Sequence, residues 1–119
     1  MQQRASSRTL GALGEKLAGD FLIRKGFHII DRHITTRYGE IDIIAQDAGE
    51  LVFVEVKTRR SFRYGSPEES IPGKKLDSLR LAIEAYMQKQ PDNRAYRLDC
   101  VFITFSGSVP AIHHLPGCG

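Results

Sequence analysis

Little in this sequence points to a membrane, a secretory route or a covalently stapled fold. No apolar run approaches the roughly 18 residues needed to span a bilayer. Residues 1–9 are polar, lack the apolar core of a signal peptide and read as a disordered terminus. Both absences lead to the expectation of a cytoplasmic protein with no membrane partner. The two cysteines, Cys100 and Cys118, have neither the CxxC spacing of a zinc site nor the density of a disulfide framework, so they read as a small buried residue and a free thiol. His113 and His114, in a terminus flanked by Pro and Gly, read as an incidental pair. No internal repeat or low-complexity tract occurs, and 119 residues suffice for one core but not two. Acidic residues are in slight deficit, 14 against 17 Lys and Arg, giving a net charge of +3 and a pI near 9.0. That balance is a mild hint of an anionic partner such as nucleic acid.

What is present is concentrated in residues 38–59. Two runs, Gly39 to Ala45 and Leu51 to Lys57, are rich in Ile, Val and Phe, and Gln46-Asp47-Ala48-Gly49-Glu50 between them carries turn residues. They predict an antiparallel hairpin. Strand alternation puts Glu40, Asp42 and Ile44 on one face of the first strand and Phe53, Glu55 and Lys57 on one face of the second, with Val52, Val54 and Val56 opposite. The register that avoids burying Asp42 against valine pairs Asp42 with Glu55, Glu40 with Lys57 and Ile44 with Phe53. Two facing carboxylates in a half-buried strand pair raise each other's pKa unless a cation lies between them. Lys57 offers one such cation; a divalent ion offsets more of the repulsion, and hard oxygen donors suit Mg²⁺ or Mn²⁺.

From Leu10 to Lys25, apolar residues recur at helical spacing and Gly26 stops the run after a cap at Thr9. Glu15 lies at the border of that apolar stripe, where an ordinary solvated Glu is the simplest reading. Phe27 to His33 reads as a first strand. After Lys57 the chain turns basic, with Arg59, Arg60 and Arg63 interleaved with Phe62 and Tyr64 in a loop. Such a loop grips phosphates and stacks on unpaired bases, or equally balances the acidic strand beside it. A second helix starts at Lys74, buries Leu76, Leu79, Ile83, Tyr86 and Met87, and ends at Gln90-Pro91. Lys74 and Lys75 at its N-terminus oppose the helix dipole, and a bound phosphate would supply a reason for them. Tyr96 to Phe105 is a last strand covered on both faces, with Asp99 expected at its rim. Residues 107–119 are expected as a tail. The order α-β-β-β-α-β defines an α/β fold, a mixed sheet flanked by helices.

Asp42, a gap of twelve residues, then Glu55-Val56-Lys57 resembles the D…ExK core of the PD-(D/E)xK nuclease superfamily. The words GEIDIIA at Gly39 to Ala45, FVEVKTR at Phe53 to Arg59 and LGALGEKLAGDFL at Leu10 to Leu22 closely resemble the YraN-like family of bacterial proteins, over roughly Leu10 to Phe105. The resemblance implies a restriction-endonuclease-like domain over residues 10–106. It further implies a metal-dependent endonuclease acting on DNA that is branched, damaged or partly single-stranded, and it leaves a homodimer open. By the same resemblance Mg²⁺ or Mn²⁺ would be held by Asp42, Glu55 and the main-chain carbonyl of Val56, and completed by Glu15. Lys57 would steady the attacking water or the developing charge, Glu40 would support the ligands from the same face, and Arg59, Arg60, Arg63 and Lys75 would contact phosphates. One departure is Ile41, where the superfamily's nominal Pro stands. A nucleic-acid-binding module that keeps the fold with little or no catalysis is the alternative.

Overall fold

The computed structural model describes residues 7–60, 73–90 and 94–118. The expected Arg63 and the rest of the basic loop, residues 1–6 of the N-terminus, and the Pro91 stop lie outside them. Helix α1, Ser7–Arg24, starts before Thr9. It ends where Phe27 N–H bonds the Leu22 carbonyl at 2.9 Å and Gly26 N–H the Ile23 carbonyl at 3.0 Å, the closure expected of a glycine stop. Then follow β1 (His28–Thr36), β2 (Gly39–Asp47), β3 (Glu50–Arg59), α2 (Gly73–Met87), β4 (Tyr96–Thr104) and β5 (Ala111–Leu115). The five strands form one sheet in chain order. Neighbours are antiparallel except β3 and β4, which run parallel because the chain between them crosses over through α2.

The two helices cover opposite faces. Ala18 and Leu22 of α1 pack on Ile43, Ala45, Val52, Val54 and Val101, while Leu79, Ala82 and Ile83 of α2 pack on Ile41, Ile44, Phe53 and Leu98. Covered on both faces, β3 and β4 are buried almost throughout, which explains their continuous apolar runs. Where the hairpin is paired its register is the expected one, Ile44 opposite Phe53 and Asp47 opposite Glu50, but the ladder ends at Ile43 and Val54, so the expected Asp42–Glu55 and Glu40–Lys57 pairs are not part of it. The register is set by a two-residue turn, Ala48-Gly49, with φ of 51° and 87°, the left-handed pair that matches the twist of the flanking strands.

The C-terminal segment differs from expectation in four ways. Residues 107–119 are not a tail, since β5 pairs with β4. Cys118 is not a free thiol, because it forms a disulfide with Cys100. Asp99 is not at a rim: it is fully buried, accepting hydrogen bonds from Arg97 Nε (2.9 Å), Gly117 N–H (3.0 Å) and His114 Nε2 (2.8 Å). His114 is therefore not incidental; Lys25 Nζ lies 2.8 Å from its Nδ1, so the ring accepts from Lys25 and donates to Asp99. Burial pushes the Asp99 pKa up, but the Arg97, Gly117 and His114 hydrogen bonds together outweigh it and hold the carboxyl below its ordinary value. The physical reason for all four is shared. A buried carboxylate on a central strand needs donors, and they come from the segment that β5 and the disulfide fasten beside it.

A carboxylate cluster where the strands part

The sheet alternation breaks at Asp42. Ile41 packs toward α2 and Ile43 toward α1, although residues two apart in a regular strand share a face. The neighbouring strand breaks at the same level. Ile34 packs toward α2, whereas the Arg32 guanidinium lies against Gly19 of α1, and between them His33 has a left-handed φ of 53°. Since Arg32 pairs with Ile43 and Ile34 with Ile41, His33 falls across from Asp42. The expectation that Asp42 and Ile44 share one regular face is thus corrected: at this level the ribbon turns over, and Asp42 becomes accessible from the α1 side as well.

Beyond Ile43 and Val54 the Asp42 carboxylate reaches across to β3, where its Oδ2 accepts the Val56 N–H at 2.8 Å. Glu55 is 6% exposed and lies within hydrogen-bonding reach of Asp42. Its Oε1 is 3.6 Å from Lys75 Nζ, while Oε2 is buried with no donor to bond. Two carboxylates side by side cannot satisfy each other unless a proton or a cation sits between them. The pKa values follow: burial, then the Asp42 charge, pushes Glu55 up to about 7, against partial relief from Lys75. Burial also raises Asp42, with the Val56 N–H pulling the other way.

Helix α1 delivers the third carboxylate. A Cβ at Gly14 would run into the Thr58 hydroxyl, so the absence of a side chain there lets α1 lie directly on β3. The next residue, Glu15, then lines a cavity of about 170 Å³ with Arg32, His33 and Asp42. Glu15 Oε2 is 2.7 Å from His33 Nε2. Burial first, and the Asp42 charge second, raise the Glu15 pKa, with Glu40 adding to the effect and His33 and Arg32 opposing it.

Asp42 is therefore flanked by Glu55 from β3 on one side and by Glu15 from α1 on the other, with Glu40 exposed nearby. Lys57 is exposed, and the lysine that reaches the carboxylates is Lys75 from the first turn of α2. The anion beside that helix start is Glu55. Val56 meets Asp42 through its main-chain nitrogen. Arg59 and Arg60 close β3 and follow it, half-buried. Sequence reasoning missed His33, whose placement opposite Asp42 depends on a β-bulge between Ile29 and Asp31 and on a left-handed residue; no local pattern announces either. It also did not anticipate the Glu55–Lys75 pair, which joins residues twenty positions apart through the crossover. Among the described residues, no group of three or more His, Cys, Asp or Glu side chains is gathered tightly enough to hold a metal ion by itself. A Glu55 carboxylate beside Asp42 with its Oε2 orphaned nonetheless fits a hard cation, because Mg²⁺ is commonly held by one or two carboxylates, with waters and substrate phosphate completing its shell.

Fold and site define an α/β protein, a five-stranded mixed sheet between two helices, with a buried acidic pair where strands β2 and β3 part. The sequence matches the family model described as uncharacterised protein family UPF0102 over residues 14–103, and the chain belongs to that family, the YraN-like proteins. A UPF0102 protein of Syntrophomonas wolfei is 46% identical over 71% of this chain and 74% of its own. Relatives from Geobacter metallireducens (40% identical, 92% of this chain and 91% of its own) and Renibacterium salmoninarum (45%, 92% and 95%) extend the similarity nearly end to end.

Proposed function

We propose that this protein is a divalent-metal-dependent DNA endonuclease that hydrolyses phosphodiester bonds in branched or damaged DNA. The observation that carries the reading is the buried Glu55 carboxylate, which lies within hydrogen-bonding reach of Asp42 and whose Oε2 has no donor. An acidic pair that Lys75 relieves only in part weakens the fold of a chain that only binds, and becomes useful once a cation is admitted. The resemblance of Asp42…Glu55-Val56-Lys57 to the PD-(D/E)xK core supports the same reading. Asp42 and Glu55, with the Val56 carbonyl, would hold Mg²⁺ or Mn²⁺. Such an ion, when bound, acidifies a water and polarises the scissile phosphate.

The chain's own residues prepare that step. With its pKa raised to about 7, Glu55 is partly protonated near neutral pH, and a bound cation would favour its ionised form. Lys75 relieves the ionised fraction; were a cation to take over that role, its half-exposed ammonium would be available to a phosphate. Glu15 pairs with His33, whose ring borders the same cavity across from Asp42. Lys57, exposed one step beyond Val56, is assigned to the developing negative charge. A DNA partner is consistent with a cytoplasmic location, and no helix among the described residues is long and apolar enough to cross a membrane.

The second reading, a nucleic-acid-binding module, is favoured by the lack of a three-ligand group among the described residues. One experiment separates them: metal-stripped protein is given Mg²⁺ or Mn²⁺ with plasmid, single-stranded, flap and four-way-junction DNA, beside Asp42→Ala and Lys57→Ala. Cutting by the parent but not Asp42→Ala is expected, and Lys57→Ala should bind normally while cutting roughly a hundredfold or more slowly. A parent that binds yet cuts none of the four is the binding module.

A further inference from the structure

A second surface leads away from the carboxylates, and its chemistry is that of a path for a polymer with apolar faces and negative linkers. A groove of about 600 Å³ separates the end of β1 from the end of α2, within the roughly 300–1,000 Å³ range of ligand sites. Ile34, Ala85 and Tyr86 give it an apolar floor, and its two charged residues, Arg37 and Lys89, are both cations. Four consecutive residues line it from this side, Ile34, Thr35 and Thr36 at the end of β1 and Arg37 just after it. Only an edge strand presents successive residues that way, and β1 is the edge of the sheet. The Arg37 guanidinium lies 5.1 Å from the centre of the exposed Tyr38 ring. Tyr38 then lines a cleft with Glu40, Ser78 and Lys75, and Lys75 reaches Glu55. A chain of neighbouring side chains, Arg37, Tyr38 and Lys75, thus connects the groove to the acidic pair.

The geometry points to this groove as the binding track for an unpaired DNA strand leading to the carboxylates, with Tyr38 as a base-stacking platform and Arg37 and Lys89 as phosphate contacts. It rests on the nucleic-acid reading above and narrows it, since the substrate would carry a single-stranded arm beside the bond to be cut. An unpaired strand fits where a duplex does not. Its base faces are free to lie on an aromatic ring and an apolar floor, whereas a duplex buries them in its own stack and offers only phosphates. The Thr35 hydroxyl and the Gln88 amide at the rim match the polar edges of such bases.

The test is fluorescence anisotropy in EDTA, with labelled oligothymidylate and a hairpin duplex carrying the same number of phosphates. Arg37→Ala/Lys89→Ala should weaken single-strand binding roughly tenfold and lower its salt slope by about 1.4, two phosphate contacts at about 0.7 each. Duplex affinity should change by less than about twofold. Tyr38→Ala should weaken single-strand binding by about tenfold, the scale of one stacked base, and Tyr38→Phe should restore it. Equal losses on both DNAs, or unchanged single-strand affinity, would overturn the assignment. Because EDTA removes cleavage from the measurement, the two readings fail separately. A parent that cuts while the variants bind single strands normally leaves the nuclease and sinks the groove. A parent that cuts nothing while the variants lose single strands selectively keeps the groove and sinks the nuclease.

Discussion

Replacing Glu55 by Gln should stabilise the metal-free protein, and should do so only where Glu55 would otherwise be ionised. The fold holds the Glu55 proton more tightly than the unfolded chain does, with a pKa of about 7 against an ordinary 4.5. The stability associated with that proton is complete below pH 4.5, declines as the pH rises, and is gone above about 7. At 1.36 kcal/mol for each pH step across that interval, the ionised carboxylate weakens the fold by roughly 3 kcal/mol at pH 8 and by less than roughly 1 at pH 5. Glu55→Gln keeps the shape, offers Asp42 an amide donor in place of a second carboxylate, and removes the charge. Urea denaturation followed by circular dichroism, in EDTA at pH 5 and pH 8, measures the difference. The variant should gain up to roughly 3 kcal/mol over the parent at pH 8 and little at pH 5. Adding Mg²⁺ at pH 8 should then stabilise the parent and leave the variant unchanged. A variant no more stable than the parent at pH 8, or equally more stable at both values, would refute the account of the acidic pair.

Two further outcomes concern the other end of the sheet. Asp99→Ala leaves Arg97, His114 and the Gly117 N–H without their shared acceptor and should cost about 3 kcal/mol or more in denaturant. Its acid dependence runs opposite to that of Glu55, because a lowered pKa gives stability that is present above 3.8 and lost as the pH falls through the folded value. The parent should therefore lose more stability on acidification below pH 4 than does the variant. Cys118→Ser opens a link between residues 18 apart and should lower stability by about 3 kcal/mol on the loop-closure scale. Reducing agent should produce the same loss in the parent and none in the variant.

The strongest local signals were legible in the chain. Alternating Val, Ile and Phe around Ala48-Gly49 specified a hairpin and its register, because a slip by one residue would bury Asp42 against Val54 and expose half the core. Helical spacing around Leu17 and Leu79, and the glycine after Lys25, located both helices for the same reason: each is a short-range pattern with a large penalty for violation. That register brings Asp42 to the level of Glu55, but the strands part just there, and Asp42 is held by the Val56 N–H. What tertiary structure decided lies where distant segments meet. Glu15 reaches the acidic pair because Gly14 lets α1 lie on Thr58, a contact between residues 44 positions apart that no helical wheel contains. His33 faces Asp42 because both strands turn over at that level, and a left-handed φ at a histidine has no sequence mark. Asp99 seemed a solitary polar residue until β5 brought His114 and Gly117 to it, and two cysteines too sparse to suggest a framework became a pair once that strand was in place. Short-range patterning fixes elements because water penalises every misplaced apolar side chain. Buried polar groups are satisfied only by partners that arrive when the whole sheet closes.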